Sequence, residues 1–327
     1  MIIADDSLVR RHLDWPRLIA ALADMFRSGC SVGPRVHHEL EVPNAPDGTL
    51  LLMPAWASGR YIGVKVVTVF PGNTALGLPS VSASYLMFDA NNGTPLAYLE
   101  ASVLTGKRTA AASALAAKYL ARPDAAKLLL VGTGRVAREL ASAHAAVRTI
   151  QSIAVWGRDF SKATRLAREL ADAGFAAVAA ADLGVAAGDA DIISCATLAK
   201  EPLLQADWIA PGTHVDLVGA FKPSMREADE ALMRRASIFV DTRTGALAEA
   251  GDIVIAIERG AITAESIVAD LAELVAGAHP GRRSRSDITV FKSVGTASED
   301  LAAAVLVFEQ IVSGHAASND STQESIT

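Results

Sequence analysis

The stretch from Lys127 to Ala137 constrains this chain more than any other. Lys127–Val131 reads as a short buried strand running directly into Gly132-Thr133-Gly134-Arg135-Val136-Ala137, and a helical pattern follows as far as Ala146. In that setting the first glycine permits a tight turn and the second lets a pyrophosphate approach the backbone. Ala137 is small enough for the helix to pack on the strand, and the helix N-terminus offers free N–H groups to the phosphates. The expectation is a dinucleotide site at Gly132, Thr133 and Gly134. The rhythm continues downstream, with strands at Ser152–Trp156, Ile192–Cys195, His214–Leu217 and Ile238–Val240 and a helix at Lys162–Ala173. Strands and helices in alternation imply a parallel sheet covered on both faces.

The end of the second strand bears on which dinucleotide is bound. An acidic residue there would accept from the ribose hydroxyls of NAD, but this strand ends Val155-Trp156-Gly157-Arg158-Asp159. Gly157 stands where the acid is expected, and the Arg158 guanidinium suits a 2′-phosphate. NADPH is therefore the expected cofactor, with NADH the other candidate. The plainer reading is that Arg158 is a solvated loop residue and Asp159 caps the next helix.

The rest of the chain follows a different pattern. Asp14-Trp15-Pro16 sets an N-cap before an early proline, and Leu18, Ile19, Leu22, Met25 and Phe26 follow at helical spacing. Strand-like runs lie at Thr49–Met53, Gly63–Phe70, Ser82–Asp89 and Pro95–Glu100, with Asn91-Asn92-Gly93 as a hairpin turn. An alanine-rich helix is expected from Ala110 to Leu120, ending at Arg122-Pro123. Beyond the parallel region, Asp287–Lys292 reads as one more strand and Asp300–Val312 as an apolar helix, with a loose polar tail from Ser313. At 327 residues the chain has room for two domains.

Composition removes several function classes. The 30 basic and 36 acidic residues leave a formal charge of −6, which argues against a general nucleic-acid binder. The two cysteines, Cys30 and Cys195, make no disulfide framework and no metal cluster, and Met1-Ile2-Ile3-Ala4-Asp5-Asp6 has no signal-peptide character. A cytoplasmic location and no bound metal are the expectations. The longest uncharged stretch, Val66–Phe88, is broken by Pro71-Gly72-Asn73 and Gly77-Leu78-Pro79, so no membrane span is expected.

The residues that stand out are cations in apolar surroundings. Lys65 interrupts Gly63-Val64-Lys65-Val66-Val67-Thr68-Val69-Phe70, and a charge there must reach solvent, pair with an acid or face a polar cavity. Arg108 stands at the head of the alanine helix, and Arg35 follows Gly33-Pro34. Two arginines and a lysine could clamp a small carboxylate, the guanidinium through paired hydrogen bonds and the ammonium as a point charge.

The chain resembles the ornithine cyclodeaminase/μ-crystallin family across nearly its whole length. The matching blocks are Gly33-Pro34-Arg35, Leu52-Met53-Pro54-Ala55, Gly63-Val64-Lys65, Phe70-Pro71-Gly72-Asn73, Arg108-Thr109-Ala110-Ala111, Gly132-Thr133-Gly134, Gly219-Ala220 with Arg226-Glu227, and Phe291-Lys292-Ser293-Val294-Gly295. The resemblance implies an α/β homodimer in which a Rossmann dinucleotide-binding domain (123–286) is inserted in an α+β substrate and dimerisation domain (1–122 with 287–327). It implies that Arg35, Lys65 and Arg108 bind the substrate carboxylate and reacting centre, with Ser80 nearby. Dinucleotide contacts are expected at Thr109, Gly132, Thr133, Gly134, Arg135, Val136, Gly157, Arg158, Asp159, Thr197, Val218 and Gly295.

Departures from the family pattern narrow the chemistry. Cyclodeaminases of the family carry an aspartate directly after the Gly-Gly or Gly-Ala pair, whereas here Phe221 follows Gly219-Ala220. Phenylalanine neither takes a proton nor holds a cation, so loss of ammonia is disfavoured. The segment Gly-Ala-Phe-x-Pro-x-Met-Arg-Glu resembles instead the family's Δ1-pyrroline-2-carboxylate and Δ1-piperideine-2-carboxylate reductases. The expected reaction is NAD(P)H-dependent reduction of a cyclic ketimine carboxylate, acting on a CH–NH bond, to L-proline or L-pipecolate. Lys65 and Arg108 are the catalytic candidates, and Phe221 is either an apolar wall for the ring or core filler. Val136 and Asp216 stand where the family usually has Gln and Asn. Two rival readings are an ornithine cyclodeaminase or alanine-type dehydrogenase, and a non-enzymatic ligand binder that keeps NADPH.

Overall fold

A computed structural model describes residues 1–323, apart from the side chains of Thr74 and of residues 315–323. The chain forms two compact units, one made of Met1–Arg108 with the segment from Ala297 onward, the other of Thr109–Thr296.

The first unit opens with β1 (Ile2–Ala4), α1 (Asp6–Arg11) and α2 (Trp15–Ser28). As its sequence demands, α2 begins at Asp14, whose carboxylate accepts from Arg17 N, and buries Leu18, Ile19, Leu22 and Phe26. Then come β2 (Ser31–Val32), β3 (Val36–Leu40), β4 (Gly48–Ala57), β5 (Tyr61–Val69), β6 (Val81–Asp89) and β7 (Pro95–Glu100). They form one sheet in the order β1-β7-β6-β5-β4-β2, with β3 also on β4 and only β1 parallel to its neighbour. Met53, Lys65 and Tyr85 are register partners across β4, β5 and β6, and all three are buried. The last helix, α11 (Ala297–Gln323), lies on α2, β4 and β5.

The second unit starts within α3 (Ala101–Leu120), whose stretch Ala110–Ala117 is entirely buried. It continues β8 (Lys127–Val131), α4 (Arg135–Ala145), β9 (Ser152–Trp156), α5 (Phe160–Asp172), β10 (Ala177–Ala179), α6 (Leu183–Asp189), β11 (Ile192–Cys195) and β12 (His214–Leu217). After these come α7 (Glu230–Arg235), β13 (Ser237–Val240), α8 (Arg243–Glu249), α9 (Gly251–Glu258), β14 (Ile267–Asp270), α10 (Leu271–Val275) and β15 (Thr289–Lys292). The eight strands are all parallel, in the order β10-β9-β8-β11-β12-β15-β13-β14. The order reverses between β8 and β11, and in such sheets ligands bind outside the carboxyl ends of the strands at that reversal.

Three expectations need correction. The strand at 289–292 does not join the N-terminal sheet; it sits between β12 and β13, with all four residues buried. Its apolar Val290-Phe291, preceded by Thr289 with its hydroxyl hydrogen-bonded to Leu120 O, suits a strand covered on both faces. Arg108 is not at the head of a helix but in the second turn of one that begins at Ala101, so Gly106 is tolerated inside a helix despite its cost of about 1 kcal/mol. Finally, α11 starts at Ala297, which brings Glu299 and Asp300 into its first turn, and it continues past Val312. Of the tail expected to be loose, residues 324–327 lie outside the described residues. Among the described residues no helix is long and apolar enough to cross a membrane.

Candidate functional site

In the first unit the inward face of β5 buries Lys65, and the start of α11 sets an acid against it. Lys65 Nζ lies 2.7 Å from Asp300 Oδ2, and Arg108 Nε donates to Asp300 Oδ1 at 2.9 Å. Arg108 Nη1 donates to Glu299 Oε2. One carboxylate thus bridges the two cations, and a second holds the guanidinium plane. Buried charges survive only when paired and hydrogen-bonded in this way. The half-buried Arg35 adds a third positive charge, felt by both Lys65 and Asp300. The structure therefore gathers Arg35, Lys65 and Arg108. Ser80, half-buried, lies just before β6, and its carbonyl accepts from Phe70 N.

Burial pulls the Lys65 ammonium down to about 8, with Arg108 and Arg35 adding to the shift and Asp300 opposing it. Burial works against the Asp300 carboxylate, but Arg108 and Lys65 outweigh it and hold that group below its ordinary range. Beside them, Tyr85 is buried and its hydroxyl reaches over Gly63, where a Cβ would come within 2.0 Å of it. That contact explains the glycine in Gly63-Val64-Lys65. The acids Glu299 and Asp300 were missed by reading the sequence. Their signal was two consecutive carboxylates opening an apolar helix.

The second unit carries the phosphate loop. Gly132 has φ +121°, and a Cβ there would meet Ala196 O at 2.6 Å, so only glycine fits. Nothing stands within 4 Å of the place where a Cβ of Gly134 would be, and this residue is the N-cap of α4, with no side-chain hydrogen bond capping the helix. No side chain takes up the N–H groups of its first turn as a cap, which fits dinucleotide phosphates. Thr133 and Val136 are half-buried and Arg135 is exposed on this turn. A Cβ on Gly157 would press on Thr133 Cγ2 at 2.9 Å.

At the end of β9, Arg158 is exposed, while Asp159 caps α5 by accepting from Ser161 N and Lys162 N. The plainer alternative for Asp159 is thus what the structure contains, and its carboxylate is committed to the helix. Thr197 and Val218 follow the carboxyl ends of β11 and β12. Gly295 has φ +79° and donates its N–H to Asp241 Oδ2 at 2.7 Å. Thr109 lies in α3, and Phe221 is 39% exposed on the loop after β12. Asp216 turns away from the strand ends. Fully buried, it accepts from Ser194 Oγ at 2.6 Å, and His144 of α4 contacts the same hydroxyl at 2.8 Å.

The profile of the ornithine cyclodeaminase/mu-crystallin family matches residues 6–315. The chain belongs to this family. The Δ1-pyrroline-2-carboxylate reductase of Paracoccus denitrificans is 46% identical over 257 residues, covering 78% of this chain and 81% of its own. Among solved structures, Thermococcus litoralis Δ1-pyrroline-2-carboxylate reductase in complex with NADH and L-proline superimposes with a TM-score of 0.90. Its identity is 35%, over 96% of this chain and 98% of the other. An archaeal alanine dehydrogenase dimer with bound NAD gives a TM-score of 0.89 and 31% identity, over 96% and 97%. In this member of the ornithine cyclodeaminase/mu-crystallin family, a buried cluster of cations and acids lies in one unit and a glycine turn that opens a helix lies in the other.

Proposed function

We propose that this chain reduces Δ1-pyrroline-2-carboxylate to L-proline, with the six-membered Δ1-piperideine-2-carboxylate as a second substrate. The chain is an NAD(P)H-dependent oxidoreductase of the class acting on CH–NH bonds. The observation that carries the reading is the Lys65–Asp300–Arg108 cluster, a buried ammonium pulled down to about 8 that shares one carboxylate with a guanidinium group. When bound, the reduced dinucleotide would supply the hydride that adds to C2 of the imine. Arg35 and Arg108 orient the substrate carboxylate, a positioning effect. An imine accepts hydride better once its nitrogen is protonated, so the reaction needs a proton as well as a hydride. Lys65, at about 8, is charged at neutral pH yet able to give its proton up, and we assign it that transfer.

Phe221 in place of an acid supports reduction over loss of ammonia, because nothing at that position can activate water. The wall it offers to the apolar ring is part of the same proposal. Preference for NADPH rests on the exposed Arg158 at the end of β9 and on Asp159 being occupied with capping α5. A homodimer is proposed from the archaeal alanine dehydrogenase dimer. That same neighbour supports a second reading, an alanine-type dehydrogenase working on an open-chain imine.

The test is one assay. Purified protein with NADPH is offered Δ1-pyrroline-2-carboxylate and Δ1-piperideine-2-carboxylate, with pyruvate plus ammonia, alanine and ornithine as controls. Cofactor consumption with a cyclic imine is expected. Turnover with pyruvate and ammonia alone would replace the reading by the second one.

A further inference from the structure

Beneath the carboxyl ends of β11 and β12 lies a second buried charge cluster, separate from the one around Lys65. Glu227 is fully buried. Its Oε1 accepts from Thr197 N and Thr197 Oγ1, each at 2.7 Å, and its Oε2 accepts from Gly219 N at 2.7 Å. Thr197 and Gly219 open the loops that leave β11 and β12, beside the point where the strand order reverses. The backbone of Glu227 ties the same loops: its carbonyl accepts from Leu203 N and Leu204 N. Its N–H and that of Ala228 donate to Asp252 Oδ1. The loops touch so closely that a Cβ on Gly219 would fall 2.0 Å from Thr197 O.

We infer that Glu227 is a positioning residue for the dinucleotide: its ionised carboxylate fixes the two strand-end loops in the binding conformation, so that binding is coupled to release of a proton from this group. The inference rests on the proposed function, which places a dinucleotide at these strand ends.

The geometry carries the argument. Three donors converge on one carboxylate, an arrangement that favours the ionised form; a protonated carboxyl loses the charge that strengthens each bond and holds the two loops less tightly. The surroundings keep the group poised for this. Asp252 of α9 and Lys292 of β15 face Glu227, with Lys292 Nζ 3.1 Å from Asp252 Oδ2. The Cys195 thiol of β11 lies near the same acids, and Asp241 acts on Lys292. Arg226 is directed elsewhere, towards Glu201 and Glu230. Three acids, Glu227, Asp252 and Asp241, therefore share one lysine. Burial, with Asp252 adding and Lys292 opposing, pushes Glu227 up to about 7.

The experiment measures NADH binding by calorimetry between pH 6 and 8, because the diphosphate of NADH keeps its charge over this range. If only the ionised form binds well, Kd weakens about tenfold from pH 8 to pH 6, and binding at pH 7 releases about half a proton, read from buffers of different ionisation heat. Glu227→Gln should bind weakly at every pH with no proton release from this group. Asp252→Asn keeps the acceptor for the backbone N–H but removes a negative neighbour, so the release should centre below pH 7; this variant serves if Glu227→Gln does not fold. NADH binding with no proton release in the wild type, or with the same release in Glu227→Gln, would overturn the inference. If neither NADH nor NADPH binds at any pH, the proposed function itself fails.

Discussion

Replacing Asp300 by Asn keeps the shape of the side chain and deletes one buried negative charge 2.7 Å from Lys65 Nζ. At an effective dielectric constant of 20, that contact is worth on the order of 6 kcal/mol, or about four pKa units. Water entry and side-chain movement absorb part of it, so a fall of about two units is the working expectation. Lys65 would move from about 8 to near 6, because Arg108 and Arg35 then act on it unopposed. As proton donor it works only when charged. At pH 7.5 the charged fraction would drop from about three-quarters to a few per cent, a loss of roughly 25-fold in kcat/KM for imine reduction. At pH 5.5 the charged fraction is nearly the same in both proteins, so the variant should recover most of its rate. Under the proposed function the reverse reaction, oxidation of L-proline, would need Lys65 neutral, and its acid limb should move down by the same amount. The assay is the pH dependence of kcat/KM in both directions. A loss of equal size at pH 5.5 and 7.5 would refute the reasoning, since it would mean that Asp300 only holds the site together.

Two further outcomes follow from the same geometry. Lys65→Met, which keeps the stem and removes the charge, should lower turnover far more than dinucleotide affinity; single-turnover rates with separately measured NADPH Kd check this, and a normal rate would remove Lys65 from the chemistry. Arg158→Asp should move the ratio of kcat/KM from NADPH towards NADH by about tenfold or more, the scale of losing a charge-assisted hydrogen bond; an unchanged ratio would show that Arg158 does not read the 2′-phosphate.

What could be read from the sequence was local. The turn after β8 is complete within six residues, from Gly132 to Ala137, and Gly132 has its own steric reason. Lys65 announced itself because a charge inside an apolar strand has to be answered somewhere. Its answer was out of reach, since Asp300 comes from another element at the far end of the chain and nothing near Lys65 points to it. Glu227 was visible only as part of a motif, because the bonds that define its role run to Thr197 and Gly219 across two loops. The strand at β15 was assigned to the wrong sheet for a related reason: an apolar run states that it is buried, not which neighbours bury it. Arg108 lies deeper in its helix than the alanine run suggests, because the helix already begins at Ala101 and burial outweighs the cost of Gly106.

The partner of Arg108 is 192 residues away along the chain. During synthesis the cations of the first unit emerge early, and the acids that neutralise them arrive only after the whole parallel sheet of the second unit has left the ribosome. Until α11 docks, Lys65 and Arg108 have no compensating charge, so the first unit cannot bury that face as a finished structure. Closing so long a loop costs little more entropy than closing one of half the length, yet it delays the step. The charge pattern therefore ties the first unit's cluster to its last helix: Lys65 and Arg108 gain their paired acids only when α11 returns.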